Sequence, residues 1–329
     1  NNLFRNYYNK MVKDLQKQLG REIQNGSWQS TEDYQSIVTQ TNIYKLIKAS
    51  TLENGLKRAL ATGDFGIKHN QNTNKVGVAQ VLNRLTYIAS LSHLRRVNTP
   101  IDKSGKLIPP RYLHPSSWGY LCPAETPEGH SVGVVKNLSY MTHLTISSDT
   151  STLYSLMDGH LLKFSDMQDS QLKQLVKVFI NGAWLGNVVD ACRLFHLLKR
   201  KKLSGEINIY TSVVFDYNRL ELRVCTEGGR PCRPLLRVEK NALVMNTLDP
   251  ELLKDSNGRL DWDKLTSSIT SGVCSIEYID PAEQNASMVA MFPNKLVECN
   301  KHQLYNYTHC EIHPSTMFGI LACFLQFYL

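Results

Sequence analysis

The stretch LSHLRRVNTPIDKSGKLIPPRYLHPSSWGYLCPAETPEGHSVGVVKNLS, residues 91–139, differs in kind from the rest of the chain. It is dense in proline, glycine, histidine and tryptophan, and it shows little helical or strand periodicity. A long irregular segment inside a compact protein needs many specific turns, and such segments tend to carry function. We therefore expect a turn-rich domain here, flanked by regular structure.

The charges of this stretch favour contact with phosphate. Three carboxylates (Asp102, Glu125 and Glu128) are outnumbered by six cations, which are Arg95, Arg96, Lys103, Lys106, Arg111 and Lys136. Arginine held on turn-fixed backbone is suited to bidentate phosphate contact.

Two short segments of the stretch are each compatible with more than one role. The turn at residues 102–106 is expected to project into solvent, where its lysines either contact a nucleic-acid backbone or form an ordinary hairpin tip. Glu125 and Glu128 lie on proline-fixed backbone, and paired carboxylates can bind a metal or act as acid and base. The nearby arginines favour an ion-pair scaffold instead.

Composition limits the class of protein. The 329 residues carry a net charge of +8, which suits a polyanionic partner although many basic proteins have none. No apolar run approaches the roughly 18 residues that a membrane helix needs. The eight cysteines form no CxxC pair, so reduced, mostly buried thiols in an intracellular compartment are expected. Because the chain starts without methionine and ends on an apolar run, we expect an internal piece of a longer protein.

The flanking regions show regular periodicity. Residues 1–65 and 78–96 have helical patterns, and an Asn181-Gly182 turn between apolar runs predicts a β-hairpin over 176–185. A helix is predicted over 188–202, with a basic end that suits the negative end of a helix. Strands are predicted at 207–210, 213–217 and 220–224.

Two glycine-rich nucleotide-binding motifs are missing from the sequence. It contains no GxGxxG and no GxxxxGK[ST]. His309 and His313 would share a face if they lay on one helix, and with Glu311 they could form a metallohydrolase site. Pro314 and the position of Glu311 favour a structural turn, and no metal site is predicted.

Beyond composition, residues 91–139 closely resemble the fork region of the second-largest subunit of multisubunit DNA-dependent RNA polymerases. The similarity continues on both sides. Residues 308–315 resemble the messenger-RNA type of enzyme, including those of large DNA viruses, more closely than the ribosomal or transfer-RNA types. The matching pieces are residues 55–57, 59–63, 77–84, 92–100, 105–107, 110–111, 113–114, 118–119, 122–129, 133–139, 178–184, 229–235, 276–280 and 308–315.

The resemblance implies a mixed α/β multidomain fragment. Its expected parts are the helical end of a protrusion-like domain (1–65), an irregular fork-like domain (66–141), two α/β external-type domains (142–240 and 241–300) and the start of a hybrid-binding-like region (301–329). Residues 67–75 correspond to the first fork loop and residues 102–106 to the second.

The resemblance also implies a function. The fragment would form one wall of the active-centre cleft of a DNA-directed RNA polymerase, a nucleotidyltransferase, and contact template DNA and the RNA–DNA hybrid. The implied nucleic-acid-binding residues are Arg95, Arg96, Lys103, Lys106 and Arg111. Arg111 and Glu128 would support catalysis, with Glu128 orienting neighbouring groups.

The expected cofactor is Mg²⁺ held by the largest subunit, so the fragment alone is predicted to be inactive. Expected partners are the largest and smaller subunits, the DNA template and nascent RNA, with no membrane. The location would be the nucleus of a eukaryotic cell, or the cytoplasm or virion for a microbe or virus. A stand-alone nucleic-acid-binding module is the alternative.

Overall fold

The computed structural model describes residues 1–25, 43–62, 79–99, 101, 105, 107–162, 175–249, 251, 253–266, 274–302 and 305–326. The chain divides into two compact units, Asn1–Asn83 with Thr99–Gly105, and Arg84–Asn98 with Lys106–Leu329. The predicted first fork loop at 67–75 lies outside the described residues, and so do Lys103 and Lys106.

The first unit is helical, as its periodicity predicts. Its helices are α1 (Asn2–Gln24), α2 (Ile43–Leu46) and α3 (Ser50–Thr62). α1 packs on α3 where the Tyr7 ring lies directly over Gly55, so closely that a Cβ at Gly55 would overlap the ring. A residue without a side chain therefore sets the spacing of the two helices.

The second unit begins with α4 (Tyr87–Leu94) and β1 (Arg96–Asn98), which pairs antiparallel with β2 (Val135–Asn137). The helix predicted over 78–96 is thus shorter than expected. Thr86 has extended backbone (φ −141°, ψ 160°), and its hydroxyl accepts the Ala89 N–H at 3.1 Å, so the helix starts after it. Between β1 and β2 the described chain forms 3₁₀ turns at Pro109–Arg111, Pro115–Ser117 and Gly129–Ser131, consistent with the lack of periodicity in this stretch.

A four-stranded sheet follows, in the order β5-β4-β7-β6. β4 (Val176–Ile180) and β5 (Ala183–Val188) form the predicted hairpin, with Asn181 and Gly182 at φ 49° and 83°. The other two strands are β6 (Ser212–Asp216) and β7 (Glu221–Cys225). α5 (Ser151–Met157) and α6 (Ala191–Leu203) contribute to its core, which includes Leu153, Met157, Val178, Leu194, Leu198 and Leu222.

The strand predicted at 207–210 is wrong. The Asn208 side chain accepts the Tyr210 N–H at 2.8 Å, and its carbonyl accepts the Thr211 N–H at 2.9 Å. This Asx-type turn competes with extended pairing, so the chain turns before β6 begins.

A second sheet of six strands is organised around the long strand β8 (Pro231–Glu239), with the path β10-β8-β12-β11. Its other strands are β3 (His143–Leu144), β9 (Ala242–Leu243), β10 (Ile276–Ile279), β11 (Val289–Ala290) and β12 (His309–Cys310). The remaining helices are α7 (Trp262–Thr266), α8 (Pro281–Gln284), α9 (Pro293–His302) and α10 (Ile320–Gln326), with 3₁₀ turns at Val244–Thr247 and Pro314–Met317. The mixed α/β class is confirmed. None of the helices in the described ranges is long and apolar enough to cross a membrane.

Candidate nucleic-acid interface

Arg95 lies at the end of α4 and points back into its own unit. Its Nη2 donates to the carbonyl oxygens of Ser139 and Thr142, both at 2.6 Å, and to that of Tyr140 at 3.2 Å. Partial burial lowers the pKa of Arg95 from its ordinary value. The guanidinium therefore holds the chain that follows β2 in place, a role that the sequence did not indicate.

Arg96, the next residue, faces solvent. It is the first residue of β1, where it pairs with Asn137 in the register of β2, and its side chain is exposed. Within the described part of the chain no hydrogen bond or ion pair engages its guanidinium. β1 is held in place by its pairing with β2, so the free guanidinium of Arg96 has a fixed base and is suited to bind a phosphate group.

Arg111 ties together the turns of the irregular domain. Its Nη1 donates to the carbonyls of His130 and Val132 at 2.7 and 2.8 Å, and its Nε donates to that of Leu107 at 3.1 Å. Gly133, at φ +68°, lies against the Arg111 backbone so closely that a Cβ there would overlap its carbonyl oxygen. Arg111, which the resemblance implies contacts nucleic acid, thus also holds three backbone segments together.

The loop between residues 123 and 133 is fixed by Thr126. Its hydroxyl donates to the Val135 carbonyl at 3.0 Å and accepts the Gly133 N–H at 2.9 Å. Glu128 precedes the turn Gly129–Ser131, is exposed, and makes no capping hydrogen bond from its side chain. Its carboxylate therefore remains available to an external group.

Glu125 behaves differently from Glu128. One carboxylate oxygen accepts the Ser92 hydroxyl, and the backbone N–H donates to the Cys122 Sγ at 3.2 Å. The other oxygen, Oε2, is buried near Gly319 without a hydrogen-bond partner among the described residues. The expected ion-pair scaffold between these carboxylates and the nearby arginines is wrong for the described residues, because backbone carbonyls take the guanidinium groups of Arg95 and Arg111.

Two cations at the basic end of α6, Lys199 and Lys202, pair with buried carboxylates, which the sequence did not reveal. Lys199 Nζ lies 2.6 Å from Glu277 and 2.7 Å from Glu283, and Lys202 Nζ lies 3.1 Å from Glu283. The Lys202 and Glu283 side chains are 2% and 3% exposed. Burial alone would raise the pKa of Glu277, but Lys199 and Lys202 outweigh it and hold that pKa well below its ordinary value. The helix-dipole interpretation of this run was thus incomplete.

The metallohydrolase alternative is not supported by the positions of its residues. His309 Nε2 lies 3.2 Å from Glu277, Glu311 pairs with Arg233, and the His313 ring caps the turn Pro314–Met317 by accepting the Ser315 N–H. Across the described ranges, no group of three or more His, Cys, Asp or Glu side chains is arranged to hold a metal ion.

Comparison with known proteins gives three consecutive matches. The family models are RNA polymerase Rpb2, domain 3, over residues 80–144, domain 4 over 178–239 and domain 5 over 262–314. Together they take in more than half of the chain, and their order along the chain follows their numbering. This order places the chain in the class of large RNA polymerase subunits, of which it is a segment.

Individual relatives agree with this class. The chain is 40% identical over 329 residues to the DNA-directed RNA polymerase II subunit RPB2 of Encephalitozoon cuniculi, with 99% of this chain and 27% of that protein covered. It is 37% identical over 332 residues to the DNA-directed RNA polymerase II subunit 2 of Arabidopsis thaliana (99% and 26%). It is 32% identical over 354 residues to the DNA-directed RNA polymerase subunit 2 of Acanthamoeba polyphaga mimivirus (99% and 28%).

The chain therefore belongs to the family of second-largest subunits of multisubunit DNA-directed RNA polymerases. The resemblance read from residues 91–139 is confirmed. The chain spans about a quarter of the length of these relatives.

Proposed function

We propose that this chain is part of a DNA-directed RNA polymerase, forming one wall of the active-centre cleft and contacting template DNA and the RNA–DNA hybrid. The observation that carries the proposal is the match of three consecutive Rpb2 domains in order. The exposed Arg96, between a strand partner and the carbonyl-bound Arg95, gives that wall a fixed positive charge. Such preorganised charge stabilises phosphate without reading sequence.

The roles of the other predicted residues follow from their contacts. Arg95 and Arg111 would act mainly by fixing the backbone around Arg96 and Glu128, and their direct contact with nucleic acid stays a prediction. Glu128 is exposed and would orient a neighbouring polar group at the cleft. Lys103 and Lys106 stay predictions for contact with nucleic acid.

The Mg²⁺ of nucleotidyl transfer would be bound by the largest subunit. Among the described residues, no group of three or more His, Cys, Asp or Glu side chains is arranged to hold it. We expect this chain to be inactive alone. Its partners would be the largest and smaller subunits, template DNA and nascent RNA, in a nucleus, or in the cytoplasm or virion for a virus.

The chain would divide into a protrusion-like part (1–65), a fork-like part (66–141), two external-type parts (142–240 and 241–300) and a hybrid-binding-like part (301–329). The sheet built on β8 draws its strands from the two external-type parts and the hybrid-binding-like part, since β3 begins at His143 and β12 ends at Cys310. These parts would therefore move as one body during transcription.

Purification of the tagged full-length protein from its source tests the proposal. We expect a larger subunit to co-purify and the complex to make RNA from a tailed template without a promoter. Recovery of the protein alone, with no template-dependent synthesis, would overturn the proposal and favour the stand-alone nucleic-acid-binding module.

A further inference from the structure

One face of α1 carries a row of basic side chains. At 3.6 residues per turn, Lys10, Lys13, Lys17 and Arg21 fall within an arc of about 80° and extend about 16 Å along the helix. We refer to these four residues as the α1 basic row. All four are exposed, and none forms an ion pair or hydrogen bond within the described part of the chain.

Packing inside the first unit does not account for this row. The side of α1 that packs on α3 carries Tyr7, Met11 and Leu15, which are less exposed and lie about 120° around the helix from the centre of the row. α1 as a whole carries five cations and only two carboxylates, Asp14 and Glu22. Neither carboxylate falls within the arc, so the row presents a single sign of charge.

A second element adds to the positive charge at one end of the row. A cavity of about 300 Å³ lies between α1 and residues 46–51, lined by Lys17, Arg21, Lys48 and Thr51. Asp14 is the acid among its described lining residues. Cations from two directions thus meet at a concave surface, where an anionic group can be held from both sides.

We propose that the α1 basic row, together with Lys48, is a docking surface for the sugar–phosphate backbone of a nucleic-acid duplex. The inference rests on the proposed function, which places the chain in a complex that handles duplex nucleic acid. Charge complementarity is its first support, because rows of Lys and Arg release counterions from a phosphate backbone.

The chemistry of the row favours a duplex over a single strand. Proteins that bind single strands combine cations with aromatic platforms on which bases stack. The arc of the row contains no aromatic residue, and the nearby Phe4 and Tyr8 rings stack on each other at 6.1 Å on another side of α1. A surface that contacts the sugar–phosphate backbone and has no residues on which bases can stack suits a duplex, because the bases of a duplex are already stacked on each other.

The test uses the assembled polymerase and a duplex without a promoter. Replacement of Lys10, Lys13, Lys17 and Arg21 by Gln should make the slope of log K against log salt less steep by about three to four, since each phosphate contact contributes about 0.9. The matched control is Gln at four exposed cations of the second unit, Arg200, Arg219, Arg259 and Lys295, which removes the same charge. The control should leave the slope nearly unchanged.

A photo-crosslinking amino acid placed at Lys13, and separately at Tyr8 on a different face of α1, localises the contact. We expect crosslinks to both strands of the duplex from position 13 and not from position 8. Equal slopes for the row variant and its control, or crosslinks from position 13 only to protein or to unpaired strand, would overturn the inference. RNA synthesis by the parent complex is measured separately, so loss of this inference leaves the proposed function standing, whereas a parent complex without synthesis removes both.

Discussion

Arg233 and Glu311 form a buried ion pair in which Nη1 of the arginine lies 2.7 Å from both carboxylate oxygens. The two side chains are 5% and 2% exposed. Gln284 Oε1 accepts from Nε and Nη2 of the same guanidinium, and the Tyr120 ring lies 5.4 Å from it. Arg233 lies in the stretch matched by domain 4, and Glu311 and Gln284 lie in that matched by domain 5, so the ion pair joins these two domains. The Tyr120 ring adds a contact from domain 3.

Loss of the carboxylate should therefore be costly. Glu311→Gln would leave a buried guanidinium without its counter-charge and lower the free energy of unfolding by about 3 kcal/mol or more. Urea unfolding of the purified subunit measures this. The control is Glu206→Gln, which removes an exposed partner of Lys201 and should have no measurable effect. Equal midpoints for the two variants would show that the pair does not hold the domains.

Acid stability should depend on Glu277. Its folded-state pKa lies below the ordinary value of 4.5, so its ionised form stabilises the fold above about pH 4.5. That contribution is lost as the pH falls through the folded-state pKa. We expect Glu277→Gln to be less stable at pH 7 and to lose less further stability between about pH 4.5 and 3 than the parent.

The matched control for this acid prediction is Glu251→Gln, at an exposed carboxylate paired with Lys254. It should follow the parent curve throughout. Parallel curves for Glu277→Gln and the parent below pH 4.5 would contradict the assignment of acid sensitivity to this cluster.

A comparison of Gly133 with Gly129 distinguishes the stability cost of a close contact from the cost of backbone strain. Both have positive φ, 68° and 73°, but a Cβ at Gly133 would overlap the Arg111 carbonyl whereas a Cβ at Gly129 meets nothing within 4 Å. Gly129→Ala should cost about 1 kcal/mol from the left-handed backbone alone. Gly133→Ala should cost clearly more, as measured by thermal unfolding. Equal losses would mean that the Arg111 backbone yields without cost.

Thiol labelling should separate the cysteines. Burial raises the pKa of Cys232 to about 12, and its Sγ lies 3.1 Å from the His143 Nε2. Because the thiolate is the reactive form, iodoacetamide at pH 8 should label the exposed Cys192 well before Cys232 in the folded protein. Mass spectrometry of the peptides measures the order. Early labelling of Cys232 would show that this thiol is neither buried nor protonated.

Local signals carried the correct sequence predictions. The Asn181-Gly182 turn fixes its hairpin because both residues adopt the positive φ that a tight hairpin needs. The error at 207–210 is also local, because the Asn208 side chain competes with strand pairing. Contacts between distant residues left no such signal: Arg233 and Glu311 are 78 positions apart, and Lys199 meets Glu277 across a similar gap. The sequence marked Arg95, Arg96 and Arg111 as cations but could not show which of them is bound to carbonyls.

The position of Arg96 at the nucleic acid is tested by comparing Arg96→Gln with Arg219→Gln in the assembled polymerase. Both positions are exposed, so neither change should alter thermal stability. We predict that Arg96→Gln weakens binding of a template–RNA hybrid, reduces the salt slope by about one and slows RNA synthesis, while Arg219→Gln matches the parent. Equal hybrid affinity and equal synthesis for the two variants would contradict the placement of Arg96 at the nucleic acid.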